Sequence, residues 1–323
     1  LAPIAMDLFS FKVPLKLILY AHKNGSIAVR NKAGKEYKEP YSDFFKGKSF
    51  YIPHTLSIHN MLAHIFFKGI GLEPGYAGKA GSDVNFEVVP PIKMPEFLNG
   101  NEGSCGYLVA EPLGTKAIAA GIAEQQFLSA ELWSDHPCCV VTLQDELVKN
   151  YPDAVYELTE LIVKSGKFIS EKPGMAAQIA VDFLDPQKTL GLKVPLLKNV
   201  LTEPLGIKTN DLYPLKEDLD RIQKYMHYQM GVGNLIDINE FVDLRFADKV
   251  CGNTSKISKC AESLKNSTET AKRLLNKVSG SEKNTSSKTL LDMEGKYLTF
   301  KLNNQEFGID ILKIAKQNRN PLG

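Results

Sequence analysis

The chain has 323 residues, of which 43% are hydrophobic and 24% charged, and its formal net charge at pH 7 is +2. These values are typical of a globular protein whose core is large enough for two domains. They exclude the strong charge bias that brings proteins to nucleic acids or membrane surfaces, so we expect no nucleic-acid partner. No apolar run approaches the roughly 18 residues of a membrane span, so no transmembrane helix is predicted.

The first 31 residues predict two strands joined by a tight turn. Residues 1–6 lack the basic and long apolar regions of a signal peptide, so we expect the chain to begin inside a domain. Strands are predicted over residues 15–20 and 26–30. Asn24 and Gly25 lie between them, and this dipeptide is typical of a tight turn or a β-hairpin.

Residues 48–112 alternate between strand and helix patterns. Strands are predicted at 49–52, 85–89 and 107–110, with a helix over 58–67. This order predicts a parallel sheet with crossover helices. Ligands bind such sheets beyond the carboxyl ends of the strands. Two polar segments, 54–59 and 111–112, follow strand ends, so the sequence predicts a ligand site there.

Three polar residues, Thr55, Ser57 and His59, occupy the predicted N-terminus of this helix. Free backbone N–H groups and the helix dipole favour an anion there. Simple N-capping by Thr55 or Ser57 explains the same residues, and both roles remain open. His54, His59 and His64 are close in sequence, but their spacing is poor for a shared helix face and no H-E-x-x-H motif occurs, so we predict no metal site.

Glu111 follows a predicted buried strand without a partner acid or a nucleophile motif. A hydrogen-bonding role is therefore favoured over a catalytic one. No Walker A or dinucleotide-binding motif occurs, so we predict neither a cofactor nor an enzyme. The five cysteines form no C-x-x-C pair and are interpreted as small buried hydrophobes; they are Cys105, Cys138, Cys139, Cys251 and Cys260.

The second half of the chain begins with a predicted strand at 138–143 and continues with helical patterns. Residues 251–293 are rich in Ser, Thr, Asn and Lys and predict a polar linker with room for one amphipathic helix. Residues 296–302 alternate as a strand does, and 307–309 begin a second strand. A terminal β-hairpin is therefore predicted.

Several motifs, in order along residues 1–250, resemble the substrate-binding proteins of the nitrate/sulfonate/bicarbonate class of ABC transporters, which includes taurine- and thiamine-precursor-binding relatives. The motifs lie at 50–60, 88–98, 106–112, 133–140, 211–214 and 241–247. The resemblance implies an α/β protein of the periplasmic-binding-protein type II fold. It also implies that the first lobe lacks its opening strands, because family members carry further elements ahead of a segment like residues 1–6.

The resemblance implies two lobes with a ligand cleft between them. Lobe one comprises residues 1–31 and 134–250, and lobe two comprises 32–133. Hinge closure around a nitrate, bicarbonate, sulfonate or pyrimidine-like ligand presents the closed form to an ABC permease. The location implied is periplasmic, or extracytoplasmic with a membrane anchor. The expected ligand-binding residues are Pro3, Asn24, His54, Thr55, Ser57, His59 and Glu111.

Residues 294–323 resemble the opening strands of a CheW-type chemotaxis coupling domain. This likeness implies an alternative function, a ligand-sensing module coupled to chemotaxis array proteins, and a cytoplasmic location if the tail is genuine. A third alternative is enzymatic, with His54 as its candidate residue, since one eukaryotic branch of the superfamily synthesises pyrimidines.

Overall fold

A computed structural model gives the fold of the chain. It describes residues 2–34, 36–76, 78, 80–188, 190–252, 266–277, 297–302 and 305–310. Residues 1–279 form one compact unit and residues 280–323 a second. Cys260 and the end of the tail beyond residue 310 lie outside the described residues.

A six-stranded mixed sheet forms the first layer of the larger unit. Its spatial order is β4-β5-β3-β6-β2-β7. The neighbours β4–β5, β5–β3 and β3–β6 are parallel, as predicted, but β2 is antiparallel to both β6 and β7. The strands are β2 (Ser26–Asn31), β3 (Lys48–Ile52), β4 (Pro74–Tyr76), β5 (Val84–Val88), β6 (Ser104–Ala110) and β7 (Ala123–Leu128).

Four helices accompany this sheet. The first, α2 (Ile58–Gly69), is buried on nearly every face, because it fills the crossover between β3 and the strands that follow. The others are α3 (Met94–Leu98), α4 (Leu113–Ala119) and α5 (Ser129–Leu132).

The second layer is built on β1 (Leu15–Lys23), which pairs antiparallel with β8 (Pro137–Gln144). Apolar residues of β1, Ile18 and Leu19, are fully buried in a core of their own against the surrounding helices. The helices of this layer are α1 (Ala2–Ser10), α6 (Asp145–Asn150), α7 (Pro152–Glu171), α8 (Pro173–Leu184), α9 (Val194–Thr202), α10 (Lys216–Met230), α11 (Ile238–Phe241) and α12 (Arg245–Val250). Of these, α6, α7 and α12 contribute residues to the core around Ile18 and Leu19.

The Asn24–Gly25 turn does not close a hairpin. Both residues have positive φ, 53° for Asn24 and 81° for Gly25, as the tight-turn prediction requires. However, β1 pairs with β8 and β2 pairs with β6 and β7, so the turn carries the chain from one sheet to the other. The tight turn is confirmed and the hairpin alternative is wrong, because both strands find longer partners elsewhere.

The polar segment after Cys251 contains one described helix, α13 (Ser267–Leu275). Its apolar residues Ala271 and Leu274 are buried, and it packs against α2, where Gly69 leaves room for Ala271. The predicted amphipathic helix is therefore present.

The second unit contains an antiparallel pair, β9 (Tyr297–Leu302) with β10 (Gln305–Asp310), as the alternating pattern predicts. Its likeness to a chemotaxis coupling domain stays a prediction. Among the described residues, no helix is both long enough and apolar enough to span a membrane.

Candidate ligand-binding cleft

The crossing point at Asn24 is the floor of the candidate site. Asn24 is 5% exposed, and its backbone N–H donates to the carbonyl of His136, which joins the two segments that cross between the sheets. Its side-chain Oδ1 is buried and has no hydrogen-bond partner among the described residues. An unpaired buried polar atom is costly, so this orphaned acceptor marks the turn as unusual.

Two neighbouring cavities open beside this turn. The larger, about 470 Å³, is bordered by Asn24, Ser134 and Asp135 on one side and by residues 201–210 on the other. The smaller, about 110 Å³, lies between Gly25, Ser26, Glu111 and Thr115 and the segment from Asn199 to Gly206. The smaller cavity therefore lies between the six-stranded sheet layer and α9 with its following loop. The larger cavity lies mainly between the two crossing segments, the end of α7 and the loop after α9.

Glu111 is held in place at the end of β6. Its carboxylate accepts hydrogen bonds from the backbone N–H of Thr115, at 3.0 Å, and from the Thr115 hydroxyl. The Glu111 backbone N–H donates to Gly25 at 3.0 Å. Burial raises the pKa of Glu111, the bonds from Thr115 oppose that shift, and the nearby carboxylate of Glu203 adds to it. The small cavity is thus bordered by two acidic side chains that face each other.

His59 reaches the site only through Ser26. The His59 Nε2 lies 3.0 Å from the Ser26 hydroxyl, and Ser26 borders the small cavity. His59 is only 8% exposed, and burial lowers its pKa to about 3. Its imidazole is therefore neutral at physiological pH and supplies no positive charge for an anion.

The predicted anion site at the start of α2 is occupied by capping bonds. Ser57 Oγ accepts from the Asn60 N–H at 3.1 Å and donates to the His54 carbonyl at 2.7 Å. The carbonyl of Thr55 accepts from the Asn60 side chain, and the exposed His54 accepts from the Leu56 N–H. The observed role of Ser57 is N-capping.

The predicted residues therefore divide into two groups. Asn24 and Glu111 line the cavities, and His59 supports Ser26 behind them. Pro3 is buried within α1, and neither it nor the segment 54–57 borders either cavity. His64, the third of the clustered histidines, bonds instead to the Tyr225 hydroxyl at 3.0 Å.

The wall formed by residues 199–210 was not identifiable from the sequence. It contains no catalytic or ligand-binding motif, and its position depends on a long-range pairing with the end of β1. The backbones of Lys208 and Lys23 exchange two hydrogen bonds of 3.0 Å, and the Lys208 ammonium lies 3.1 Å from Asp135. These contacts hold the loop that follows α9 beside the Asn24–Gly25 turn.

The fold is that of the substrate-binding components of ABC importers. The structure is similar to the periplasmic nitrate-binding protein NrtA from Synechocystis PCC 6803, with a TM-score of 0.66, 15% identity and coverage of 85% of this chain and 80% of that chain. It is also similar to a zinc-bound ligand-binding component of an ABC-type import system from Staphylococcus aureus, with a TM-score of 0.64, 19% identity and 79% coverage of each chain. These similarities confirm the predicted fold class.

The family model described as "NMT1-like family" matches residues 2–182, and the chain belongs to that family. A further similar structure is the periplasmic aliphatic sulphonate-binding protein SsuA from Escherichia coli, with a TM-score of 0.56, 10% identity and coverage of 75% and 73%. A curated relative, the bicarbonate transport ATP-binding protein CmpC of Synechococcus elongatus, is 23% identical over 121 residues. The matched segment covers 37% of this chain and only 17% of the relative's length.

Proposed function

We propose that this chain is a solute-binding component of an ABC importer. The observation that carries the proposal is the smaller cavity, which lies between the six-stranded sheet layer and α9 with its following loop. The larger cavity adjoins it at the point where the chain crosses between sheets. A ligand held there contacts both walls at once, and it therefore stabilises the state in which they are close. Family membership and the shared fold support the same function.

Two lobes account for this arrangement. Lobe one is assigned residues 1–25 and 134–250, and lobe two residues 26–133. This division moves β2 out of the predicted lobe one, since β2 is hydrogen-bonded between two strands of the larger sheet. The partner proposed to bind the closed form is an ABC permease. A location outside the cytoplasm follows from that role.

The ligand is proposed to be a small anion that forms a hydrogen bond with Glu111. Relatives named for nitrate, sulphonate and bicarbonate favour an anion. Two facing carboxylates oppose an anion unless one is protonated, and the raised pKa of Glu111 favours its protonated form. Protonated Glu111 donates one hydrogen bond, and a bicarbonate hydroxyl can donate to the second carboxylate.

A thermal-shift screen tests the function directly. Nitrate, bicarbonate, alkanesulfonates and pyrimidines are added to the full chain, and a ligand at 100 times its dissociation constant raises the free energy of unfolding by about 2.7 kcal/mol. Asn24→Ala removes a polar side chain that borders the larger cavity and should reduce the shift. Asn276→Ala, at the exposed end of α13, is the control and should leave the shift unchanged. A screen without any shift would refute the proposal.

The pH dependence of affinity tests the charge of the ligand. Nitrate and sulfonates do not titrate near neutrality, so their affinity should rise as the pH falls and Glu111 gains its proton. In Glu111→Gln, which is neutral at every pH, isothermal titration calorimetry should show a much flatter dependence. An affinity that falls on acidification would instead identify a cationic ligand that pairs with ionised Glu111 and Glu203.

A further inference from the structure

Two β-bulges bring three soft metal-binding side chains together where β1 pairs with β8. Along this pair, Tyr20 is opposite Val140, His22 is opposite Cys139, and Lys23 is opposite Pro137. One extra residue is therefore inserted on each strand, Ala21 on β1 and Cys138 on β8. A bulge makes two residues oppose one and re-aims the side chains of the bulged strand, which breaks the usual alternation of neighbouring cysteines to opposite faces.

The three ligand atoms of His22, Cys138 and Cys139 lie within 4.8 Å of one another. Two sulfurs bound to one tetrahedral Zn²⁺ at about 2.3 Å each are separated by about 3.8 Å, so binding requires a contraction of no more than about 1 Å. Both cysteines are free of disulfides. Cys138 is buried, whereas His22 and Cys139 are half-exposed, which gives an ion a route from solvent.

His22 offers an independent indication that something is bound. Its Nδ1 is buried and makes no hydrogen bond of normal geometry to the described residues. Buried polar atoms without a partner are rare in folded proteins, and a bound ion is one of their ordinary explanations. An imidazole nitrogen and two thiolates together form the donor set that thiophilic d¹⁰ ions prefer.

We propose that His22, Cys138 and Cys139 bind one Zn²⁺ ion. Three protein ligands would leave one tetrahedral position for water. The Ser26 hydroxyl lies 3.9 Å from the Cys138 sulfur. The ion joins the end of β1 to the start of β8, beside the two segments in which the chain crosses between the sheets. Its role is to fix the crossing segments on which the cleft is built, and it does not depend on which solute the cleft takes.

Cobalt substitution tests the proposal. The full chain, treated with EDTA under reducing conditions, is titrated with Co²⁺, and one equivalent should produce a thiolate-to-cobalt charge-transfer band that stoichiometric Zn²⁺ removes. Replacing a direct ligand, in Cys139→Ser or His22→Gln, should weaken Zn²⁺ binding by more than about 100-fold. Both positions are half-exposed, so the apo variants should retain the circular dichroism of the unsubstituted protein.

Cys251→Ser provides the matched control, because Cys251 is another half-exposed cysteine that lies outside the cluster. It should bind Co²⁺ and Zn²⁺ as the unsubstituted protein does, and Zn²⁺ should raise the melting temperature of both. The proposal is overturned if the unsubstituted chain gives no band, if Cys139→Ser and His22→Gln bind normally, or if Cys251→Ser loses the band. Binding of Cu⁺ alone, without Zn²⁺ or Co²⁺, would also overturn the assignment to zinc.

Discussion

Burial keeps the imidazole of His59 neutral and so removes the positive charge that a histidine can offer to an anion. Its position near a helix N-terminus and a strand end predicts a contact with an anion. In the fold it is 8% exposed, its Nε2 is bonded to Ser26, and burial lowers its pKa to about 3. A neutral imidazole then orients the Ser26 hydroxyl at the edge of the small cavity. His59 therefore acts as a positioning residue in the folded protein.

This pKa shift makes the protein sensitive to acid. The unfolded histidine, with a pKa of 6.5, takes up its proton before the folded one, so stability is lost as the pH falls from about 6.5 towards about 3. At about 1.4 kcal/mol per unit, about 2 kcal/mol disappears between pH 6.5 and pH 5. In His59→Gln, chemical denaturation should show a smaller loss over that interval.

The exposed His54 supplies the comparison for this measurement. His54→Gln should follow the acid curve of the unsubstituted protein. His136 is a second buried histidine whose pKa burial lowers, so the slope in His59→Gln should decrease without vanishing. An unaltered slope in His59→Gln would show that this imidazole is not the group responsible.

At the residue scale, the sequence predicts those roles that depend on neighbours close along the chain. The capping role of Ser57 depends on a neighbour three positions away, Asn60, and was predictable as one of two alternatives. The unpartnered Oδ1 of Asn24 and the pairing of Glu111 with Glu203 depend on chain segments that meet only in the fold. No local pattern contains that information.

Among the elements, α7 determines where the far wall of the cleft lies. Gly166 on this helix has no side chain, and a β-carbon there would lie 2.0 Å from the carbonyl oxygen of Thr209. The close approach allows the Thr209 hydroxyl to donate to the Gly166 carbonyl at 2.8 Å. The loop that borders the larger cavity is thereby attached to the 20-residue helix α7.

Gly166→Ala should separate this loop from the helix. The added methyl group cannot fit without a backbone shift, and overpacking of this kind costs about 1–3 kcal/mol. Because Thr209 borders the larger cavity, solute affinity should fall together with stability in denaturation and calorimetry. Gly174→Ala is the control, because a β-carbon at Gly174 meets nothing within 4 Å. Equal losses in both variants would contradict this account.

The strands and helices themselves were largely predictable, whereas their pairing was not. Apolar runs bounded by turn residues predicted β3, β5, β6 and β8 to within a few residues of their observed limits. The three-residue β4 is missing from the predicted strands, because so short a strand has little pattern of its own. The separation of β1 from β2 into different sheets depends on partners more than 70 residues away along the chain.

At the scale of the whole molecule, two crossing segments connect the proposed lobes. The first contains Asn24 and Gly25, and the second contains Asp135, whose φ of 56° is also positive. The hydrogen bond from Asn24 to His136 joins the two crossings. A positive φ is unfavourable for most residues other than glycine. Its occurrence at Asn24 and Asp135 therefore indicates that the fold requires this backbone geometry at both crossings. Hinge motion in a protein of this fold is expected at these positions.

Gly25→Ala tests whether this geometry controls ligand binding. At its φ of 81° a side chain costs about 1–2 kcal/mol, and a β-carbon would also lie 2.9 Å from Ile207 Cβ in the facing wall. Gly47→Ala is matched to it, with a φ of 72° and nothing within 4 Å of the added carbon. Both variants should therefore lose similar backbone stability in denaturation experiments.

Only Gly25→Ala should alter closure, because only its methyl group meets the opposite wall. In small-angle scattering, solute should contract the unsubstituted protein and Gly47→Ala alike and contract Gly25→Ala less. Calorimetry should show a matching loss of affinity in Gly25→Ala alone. If the two variants bind and contract equally, the contact between Gly25 and Ile207 does not limit closure, and the hinge lies away from the Asn24–Gly25 crossing.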